Sequence, residues 1–429
     1  MTPGRPAGPA RSASDGREVV VTGLGMCTPV GGDAPATWKA LLAGVCGVRA
    51  IGAAWADELP VRIAAPVAAS PAERLARHEM RRLGRVQQLA LLAAREAWAD
   101  AGAPETPPER FGVAVSSGGG GVGSLLDQYD VLRERGWKRV SPLTLPMYMA
   151  NGPAAWVSLE FGAAAELHAP ASACASGADA LARGRELIRS GQADVVLAGG
   201  ADAMIHPVIV AGFAAMRALS RRNDDPKGAS RPFDAGRDGF VLGEGAGVMV
   251  LESAAHAAGR GARVYAELAG AGRSADAYHI ANPDPSGAGA GRAMRRALAD
   301  AGAAPVEITH VNAHATGTPL GDAAEAMAMR EVLGPGLGGA SVAATKSLTG
   351  HLLGAGGAVE AAVTALTLHH GIVPPTANLD EPDTSIDDDV LRAVVRGGPG
   401  VLPEGAAAAL SNSFAFGGQN VSLLLRRRR

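Results

Sequence analysis

The chain of 429 residues is long enough for two compact units or one duplicated domain, and a hydrophobic fraction of 47% supports a substantial core. A formal net charge of -2 gives no global field for nucleic acid, and no apolar run reaches the ~20 residues that span a bilayer. The three cysteines, Cys27, Cys46 and Cys174, include no CxxC pair, which argues against a disulfide framework and against a zinc site.

Residues 1–17 are rich in Pro, Gly and Arg without an apolar stretch, so they read as a disordered arm and not as a secretory signal. The whole reads as a soluble cytoplasmic protein. Residues 18–24 form a short buried-type strand ending in glycine, and a helix begins at Trp38. Residues 73–101 predict one long helical region, with Arg77, Arg81, Arg82 and Arg85 on its early turns and a stop at Gly102. A strand over 111–116 follows. Gly118 to Gly123 then spell GxGxxG, but a dinucleotide site also needs a strand-end acid ~20 positions further on, and Asp127 and Asp130 fall too early.

Residues 171–178, Ala-Ser-Ala-Cys-Ala-Ser-Gly-Ala, lie between an apolar approach and a helix that stops at Gly191. Cys174 is therefore expected at or near a helix N-terminus, where free N–H groups and the helix dipole favour a thiolate. Its small neighbours leave room for a substrate. Taken alone, a cysteine among small residues is most often a buried apolar filler. Helices and buried strands keep alternating through Leu251, the pattern of an α/β fold around a central sheet.

An internal echo suggests two similar halves. Trp98-Ala-Asp-Ala-Gly-Ala precedes the strand Phe111-Gly-Val-Ala-Val, and Leu298-Ala-Asp-Ala-Gly-Ala precedes Ile308-Thr-His-Val-Asn. The join is expected near 259–263, dividing the chain into residues 18–260 with the cysteine and 261–429 with the histidines. A site would then sit between the halves, at the carboxyl ends of strands.

Two further stretches change the reading of Cys174. His314-Ala-Thr-Gly-Thr318 follows the strand 308–312, and Thr345-Lys-Ser-Leu-Thr-Gly-His351 precedes a small-residue helix from Leu352. Singly, each histidine reads as a satisfied core residue and Lys346 as half of a surface ion pair. One cysteine at a helix start together with two such histidines fits a thiol nucleophile. The basic end, Arg426 to Arg429, reads as solvated.

Ala173-Cys174-Ala-Ser-Gly, Val311-Asn-Ala-His314-Ala-Thr-Gly-Thr318, Lys346-Ser-Leu-Thr-Gly-His351 and Asn412-Ser-Phe-Ala-Phe416-Gly-Gly resemble, in order and spacing, the β-ketoacyl-acyl-carrier-protein synthases. Ser220-Arg-Arg-Asn-Asp and Arg231-Pro-Phe-Asp-Ala-Gly-Arg-Asp-Gly-Phe look closest to the elongating synthase II branch. The resemblance covers about residues 18–425. It implies the thiolase-type five-layered α-β-α-β-α fold of two similar halves, as a homodimer. It further implies that Cys174 takes an acyl chain from a carrier protein, and that His314 and His351 stabilise the enolate formed when a malonyl thioester loses CO2. Backbone N–H groups of Cys174 and Phe416 would form the oxyanion hole, Lys346 would hold the His351 side electrostatically, and Thr316 and Thr318 would bind the pantetheine amides. No metal or cofactor is implied, because the carrier's phosphopantetheine brings the thioester.

The acidic carrier is expected to meet a local basic patch, with Arg81, Arg82, Lys138, Arg139 and Arg217 as candidates. The family's Gly-Phe-Gly-Gly stands here as Ala415-Phe416-Gly417-Gly418, and an alanine that resists glycine's backbone angles should stiffen this gate over the acyl pocket. Fatty-acid elongation and a type II polyketide pathway share every motif quoted. A non-catalytic partner resembling a chain-length factor would lack the nucleophile, and a thiolase would need a second cysteine after Cys174, which is missing.

Overall fold

A computed structural model of the chain describes residues 17–428; the expected N-terminal arm, apart from Arg17, lies outside the described residues. Ten strands, numbered in chain order, form the central sheet: β1 (Val19–Cys27), β2 (Phe111–Ser116), β3 (Leu167–His168), β4 (Val195–Asp202), β5 (Gly245–Ser253), β6 (Ala266–Ala275), β7 (Ile308–Asn312), β8 (Ser341–Ala343), β9 (Ala408–Phe414) and β10 (Gln419–Arg426). Their spatial order is β8-β7-β9-β10-β6-β1-β5-β4-β2-β3. From the centre outward, one half runs β1, β5, β4, β2, β3 and the other β6, β10, β9, β7, β8. The pairings match as well. The first three strands of each half are antiparallel and the outer two join in parallel. The halves meet through a short antiparallel contact, Val20 opposite Glu267 and Val21 opposite Ala266.

The helices that build the layers and border the site are α1 (Arg77–Arg82), α2 (Arg85–Asp100), α3 (Val122–Arg135), α4 (Ser176–Arg189), α5 (Pro207–Ala215), α6 (Ala288–Ala301), α7 (Pro319–Leu333) and α8 (Gly356–His370). α4 and α8 pack on each other and on strands of both halves, while α2 covers the outer face of one half and α6 with α7 that of the other. The result is the five-layered α-β-α-β-α fold. The middle layer is dense because its contacts are between small residues. A Cβ on Gly177 would come within 2.7 Å of the Gly354 carbonyl, so only glycine permits this approach. The two stretches that echo in the sequence occupy equivalent places. Each ends an outer helix, α2 or α6, and leads through a left-handed glycine (Gly102 at φ +76°, Gly302 at φ +59°) into the equivalent strands β2 and β7.

The long helical region expected over 73–101 is not continuous. A 3-10 turn (Pro71–Glu73), α1 and α2 are separate, because Leu83 and Gly84 are extended and the Gln87 side chain caps the Gly84 N–H at 3.0 Å. Arg85, beyond the break, turns away from α1 and pairs with the buried Glu244 carboxylate.

Candidate active site

Cys174 lies in a single 3-10 turn, Ala173–Ala175, that leads directly into α4. Ala173 is held at φ +46°, a left-handed value that strains an alanine. Ser176 stabilises that turn by donating its hydroxyl to the Ala173 carbonyl (2.7 Å) and accepting the Ser172 N–H (2.9 Å). The N–H groups of Phe416 and of Cys174 itself lie close enough to the sulfur to favour its ionised form. Burial nevertheless pushes the thiol up to about 11, against the smaller opposing effects of the Phe416 N–H and the Lys346 charge. Burial thus favours the thiol, against the thiolate that the helix N-terminus leads one to expect.

His314 follows β7, and His351 precedes α8. Their rings meet edge to face, with centroids 5.4 Å apart at 87°. The backbone N–H groups of His314 and Ala315 donate to the Glu325 carboxylate of α7, at 2.8 and 2.7 Å. His351 is fixed by its own backbone, donating to the Val241 carbonyl (2.8 Å) and accepting from the Gly243 N–H (2.9 Å). Phe240 packs edge-on against His351 and Phe414 against His314. Nδ1 of each imidazole is buried without a hydrogen-bond partner. Burial first, and then the Lys346 charge, hold both rings well below the usual imidazole range, so both are neutral at neutral pH.

Lys346 is 1% exposed and forms no surface pair. Its Nζ meets Glu360 of α8 at 2.5 Å, off hydrogen-bond angles, since Nζ and Glu360 Oε2 both lack a directed partner. Burial lifts the Glu360 carboxyl to about 7 against that lysine, and likewise lifts Glu325 to about 7. The lysine acts on both histidines through its field, which disfavours their protonated forms.

Cys174, His314, His351, Thr316, Thr318 and Phe416 all line one apolar cavity of about 170 Å³. The Thr316 and Thr318 hydroxyls lie 3.1 Å apart, with Thr318 at the start of α7. The loop of Phe416 is latched by the Gly417 N–H on the Ile280 carbonyl at 2.7 Å. Ala415 is extended (φ -113°, ψ 157°), a conformation open to any residue, while the left-handed positions are Gly417 (φ +82°) and Gly418 (φ +71°). In this arrangement the alanine fits without strain, contrary to the expected conflict of backbone angles.

Arg81 and Arg82 end α1, Lys138 and Arg139 lie in the turn Trp137–Arg139, and Arg217 follows α5. All five are exposed and, among the described residues, take part in no ion pair. None lines the cavity. The Gly118–Gly123 run is folded on a carboxylate instead of forming a phosphate cradle, with the Gly118 and Gly119 N–H groups donating to Asp202. Among the described residues no cluster of three or more His, Cys, Asp or Glu is arranged to hold a metal.

Sequence reasoning missed Glu325 and Glu360. A signal was present: each is a lone charge inside an apolar helical run, Ala323-Ala-Glu325-Ala-Met and Ala358-Val-Glu360-Ala-Ala. A carboxylate on such a face is buried against a partner.

The two-halved five-layered fold, with a cysteine turn and two neutral histidines on one cavity between the halves, is that of a condensing enzyme of the thiolase-like class. The models of the β-ketoacyl synthase N-terminal and C-terminal domains match residues 16–257 and 265–380, and the chain belongs to that family. It is 45% identical over 408 residues to 3-oxoacyl-[acyl-carrier-protein] synthase 2 of Mycobacterium bovis, covering 94% of this chain and 96% of that one. A β-ketoacyl synthase from Burkholderia phymatum superposes with a TM-score of 0.86 at 36% identity, over 96% of this chain and all of that one. A ketosynthase solved with its type II polyketide acyl carrier protein and bound to the hexaketide gives 0.87 at 30% identity, over 97% of this chain and all of that one.

Proposed function

We propose that Cys174 carries the growing acyl chain in the decarboxylative condensation of fatty-acid elongation, which yields a 3-oxoacyl-acyl-carrier protein. In the first half-reaction the sulfur attacks an acyl-carrier thioester, forming a new thioester, and the Cys174 proton leaves on the departing phosphopantetheine thiol. In the second, malonyl-carrier protein binds and its C–C bond to CO2 breaks. The electron pair moves to an enolate, which attacks the acyl carbon on Cys174 and releases the thiol again after protonation. Each step places negative charge on a thioester oxygen. Neutral His314 and His351 can donate N–H to the enolate without ionising, and the N–H groups of Cys174 and Phe416, both close to the sulfur, would form the oxyanion hole for the tetrahedral intermediate. Burial, aided by the Lys346 charge, keeps the imidazoles neutral, and the Thr316–Thr318 hydroxyl pair at the cavity wall suits the pantetheine amides. The thioester arrives on the carrier's own phosphopantetheine, so the roles above call for no further cofactor.

The observation that carries this reading is the neutral histidine pair sharing one cavity with a thiol close to two N–H groups. Intact mass spectrometry after incubation with an acyl-carrier thioester tests it. The wild type should gain one acyl group and Cys174→Ala none; acylation on Cys27 or Cys46 would refute the assignment. The polyketide complex among the similar structures favours a second reading, a specialised type II ketosynthase, and the chain length and β-keto pattern of the released product would tell the two apart.

An acyl carrier protein is the proposed partner, met by the five unpaired basic residues. A homodimer is proposed through β3, with residues 18–260 and 261–429 as the two halves of each protomer. The equivalent edge strand β8 is covered by the segment around Val394 and Val395, whereas β3 is open, with Leu167 exposed and Leu159 exposed on the adjoining helix. Sedimentation should give twice the monomer mass; a monomer would refute the pairing, and a stable complex only with a second related chain would favour a heterodimer. No described helix is long and apolar enough to cross a membrane. Three free thiols are in keeping with the proposed cytoplasmic location.

A further inference from the structure

The turn that carries Cys174 has a counterpart in the other half. Leu353–Ala355 is a second single 3-10 turn, and it leads into α8 as Ala173–Ala175 leads into α4. Its first residue is again left-handed, Leu353 at φ +51° against Ala173 at φ +46°. The closing bond is shared as well: the Ala175 N–H donates to the Ser172 carbonyl (2.9 Å) and the Ala355 N–H to the Leu352 carbonyl (3.1 Å). The fold makes this turn twice and puts a nucleophile on one copy, since Gly354 stands where the other has Cys174.

The two copies differ in what braces them. The second has only apolar residues, Leu352, Gly356 and Val359, at the places where the first has Ser172, Ser176 and Asp179. Ser172 is buried with every polar group engaged. Its N–H donates to Ser176 Oγ at 2.9 Å, its carbonyl takes the Ala175 N–H, and its hydroxyl donates to Asp179 Oδ2 at 2.5 Å. The other Asp179 oxygen accepts from Arg273 Nε at 2.5 Å, and the same guanidinium reaches Glu186 further along α4. An equivalent left-handed turn forms without these polar groups, so the fold alone does not require the brace.

Arg273 shows what the brace is for. It lies on β6, in the half that lacks the cysteine, and opposes Val421 of β10, the strand that follows the Phe416 loop. The two N–H groups close to the sulfur also come from separate halves, Cys174 from one and Phe416 from the other. A slip of the cysteine turn against β10 would separate them.

We propose that Asp179, bonded to both Ser172 and Arg273, is a positioning residue that holds the Cys174 turn in register with the Phe416 N–H for acyl transfer. The proposal rests on the ketosynthase reading. Asp179 does not line the cavity and acts on the sulfur only through Ser172 and the turn. Its loss should therefore fall on acylation of Cys174 and spare malonyl decarboxylation, which is assigned to His314 and His351 on other elements.

The test compares single-turnover acylation of Cys174 by an acyl-carrier thioester with release of labelled CO2 from malonyl-carrier protein. Asp179→Ala and Ser172→Ala should each slow acylation by about 10–10²-fold, the scale of a ~1 Å misplacement, and leave CO2 release within about 2-fold of wild type. The double variant should be no slower than the slower single variant, because both substitutions cut the same link. Ser172→Thr keeps the hydroxyl and should restore wild-type acylation. Equal losses in both rates would mark a structural role and overturn the proposal. So would unchanged acylation in both single variants, losses that multiply in the double variant, or a Ser172→Thr as slow as Ser172→Ala. A wild type that acquires no acyl group from any thioester would instead overturn the ketosynthase reading itself.

Discussion

Burial and the Lys346 charge keep His314 and His351 unprotonated, and that dictates how their removal should read out. On the proposed roles, His314→Ala and His351→Ala should each slow malonyl decarboxylation ~10²–10³-fold, the range for one oxyanion-type donor. Transfer of the acyl chain to Cys174 should suffer less. Because both rings are neutral well below 6.5, the decarboxylation rate should also show no histidine ionisation near that pH. Undiminished release of labelled CO2 by both variants, or a rate that falls with an apparent pKa near 6.5, would refute the role. The triad of Cys174, His314 and His351 was legible because reactive residue types stood among glycines and small side chains. The thiol's protonation state was not, since a helix N-terminus can be read from sequence while the burial that opposes it depends on how distant segments pack around the sulfur.

At the scale of the element, helices and strands were read more readily than their breaks. Residues 73–101 have enough apolar periodicity for one helix, yet Gly84 splits them because the chain of another element crosses there: a Cβ on Gly84 would lie 3.0 Å from the Met147 carbonyl. No local signal reports such a long-range approach. The Phe416 loop shows the converse, a sequence oddity that the structure accommodates, since Ala415 is extended. Alanine then acts through the freedom it removes from other conformations. Ala415→Gly should lower stability by about 0.4–1 kcal/mol and, by easing the opening of the loop, speed acylation of Cys174 by long chains. Thermal unfolding and single-turnover acylation check this, and an unchanged rate at every chain length would show that Ala415 does not restrain the gate.

For the whole molecule, the echo of Trp98 and Leu298 revealed the duplication, but strand order and the contact between β1 and β6 are non-local and left no local trace. The proposed carrier surface is likewise a property of the assembled fold, because Lys138 and Arg217 come from separate elements. Lys138→Glu with Arg217→Glu should raise the KM for carrier-bound substrate several-fold, an effect that shrinks at high salt, and should spare a small pantetheine thioester. Equal losses on both substrates would assign those residues to the fold. The interior also sets the response to acid. His310 on β7 is fully buried, with Nδ1 beside the Ser341 carbonyl, and burial lowers it from 6.5 to about 4. A depressed histidine contributes stability that is present above 6.5 and is lost as pH falls toward 4. Glu96, Glu325 and Glu360, raised by burial to about 7, have the opposite sign: their contribution is complete below 4.5 and is lost as pH rises through 7. The two sets oppose each other across the same window. His310→Gln keeps an amide donor for Ser341 but cannot titrate, so it should make the slope of unfolding free energy against pH more negative between 4.5 and 6.5, by up to about 1.4 kcal/mol per pH unit. Urea unfolding at a series of pH values measures that slope in both proteins. Identical slopes would mean that His310 binds a proton equally in the folded and unfolded chain, contrary to its burial.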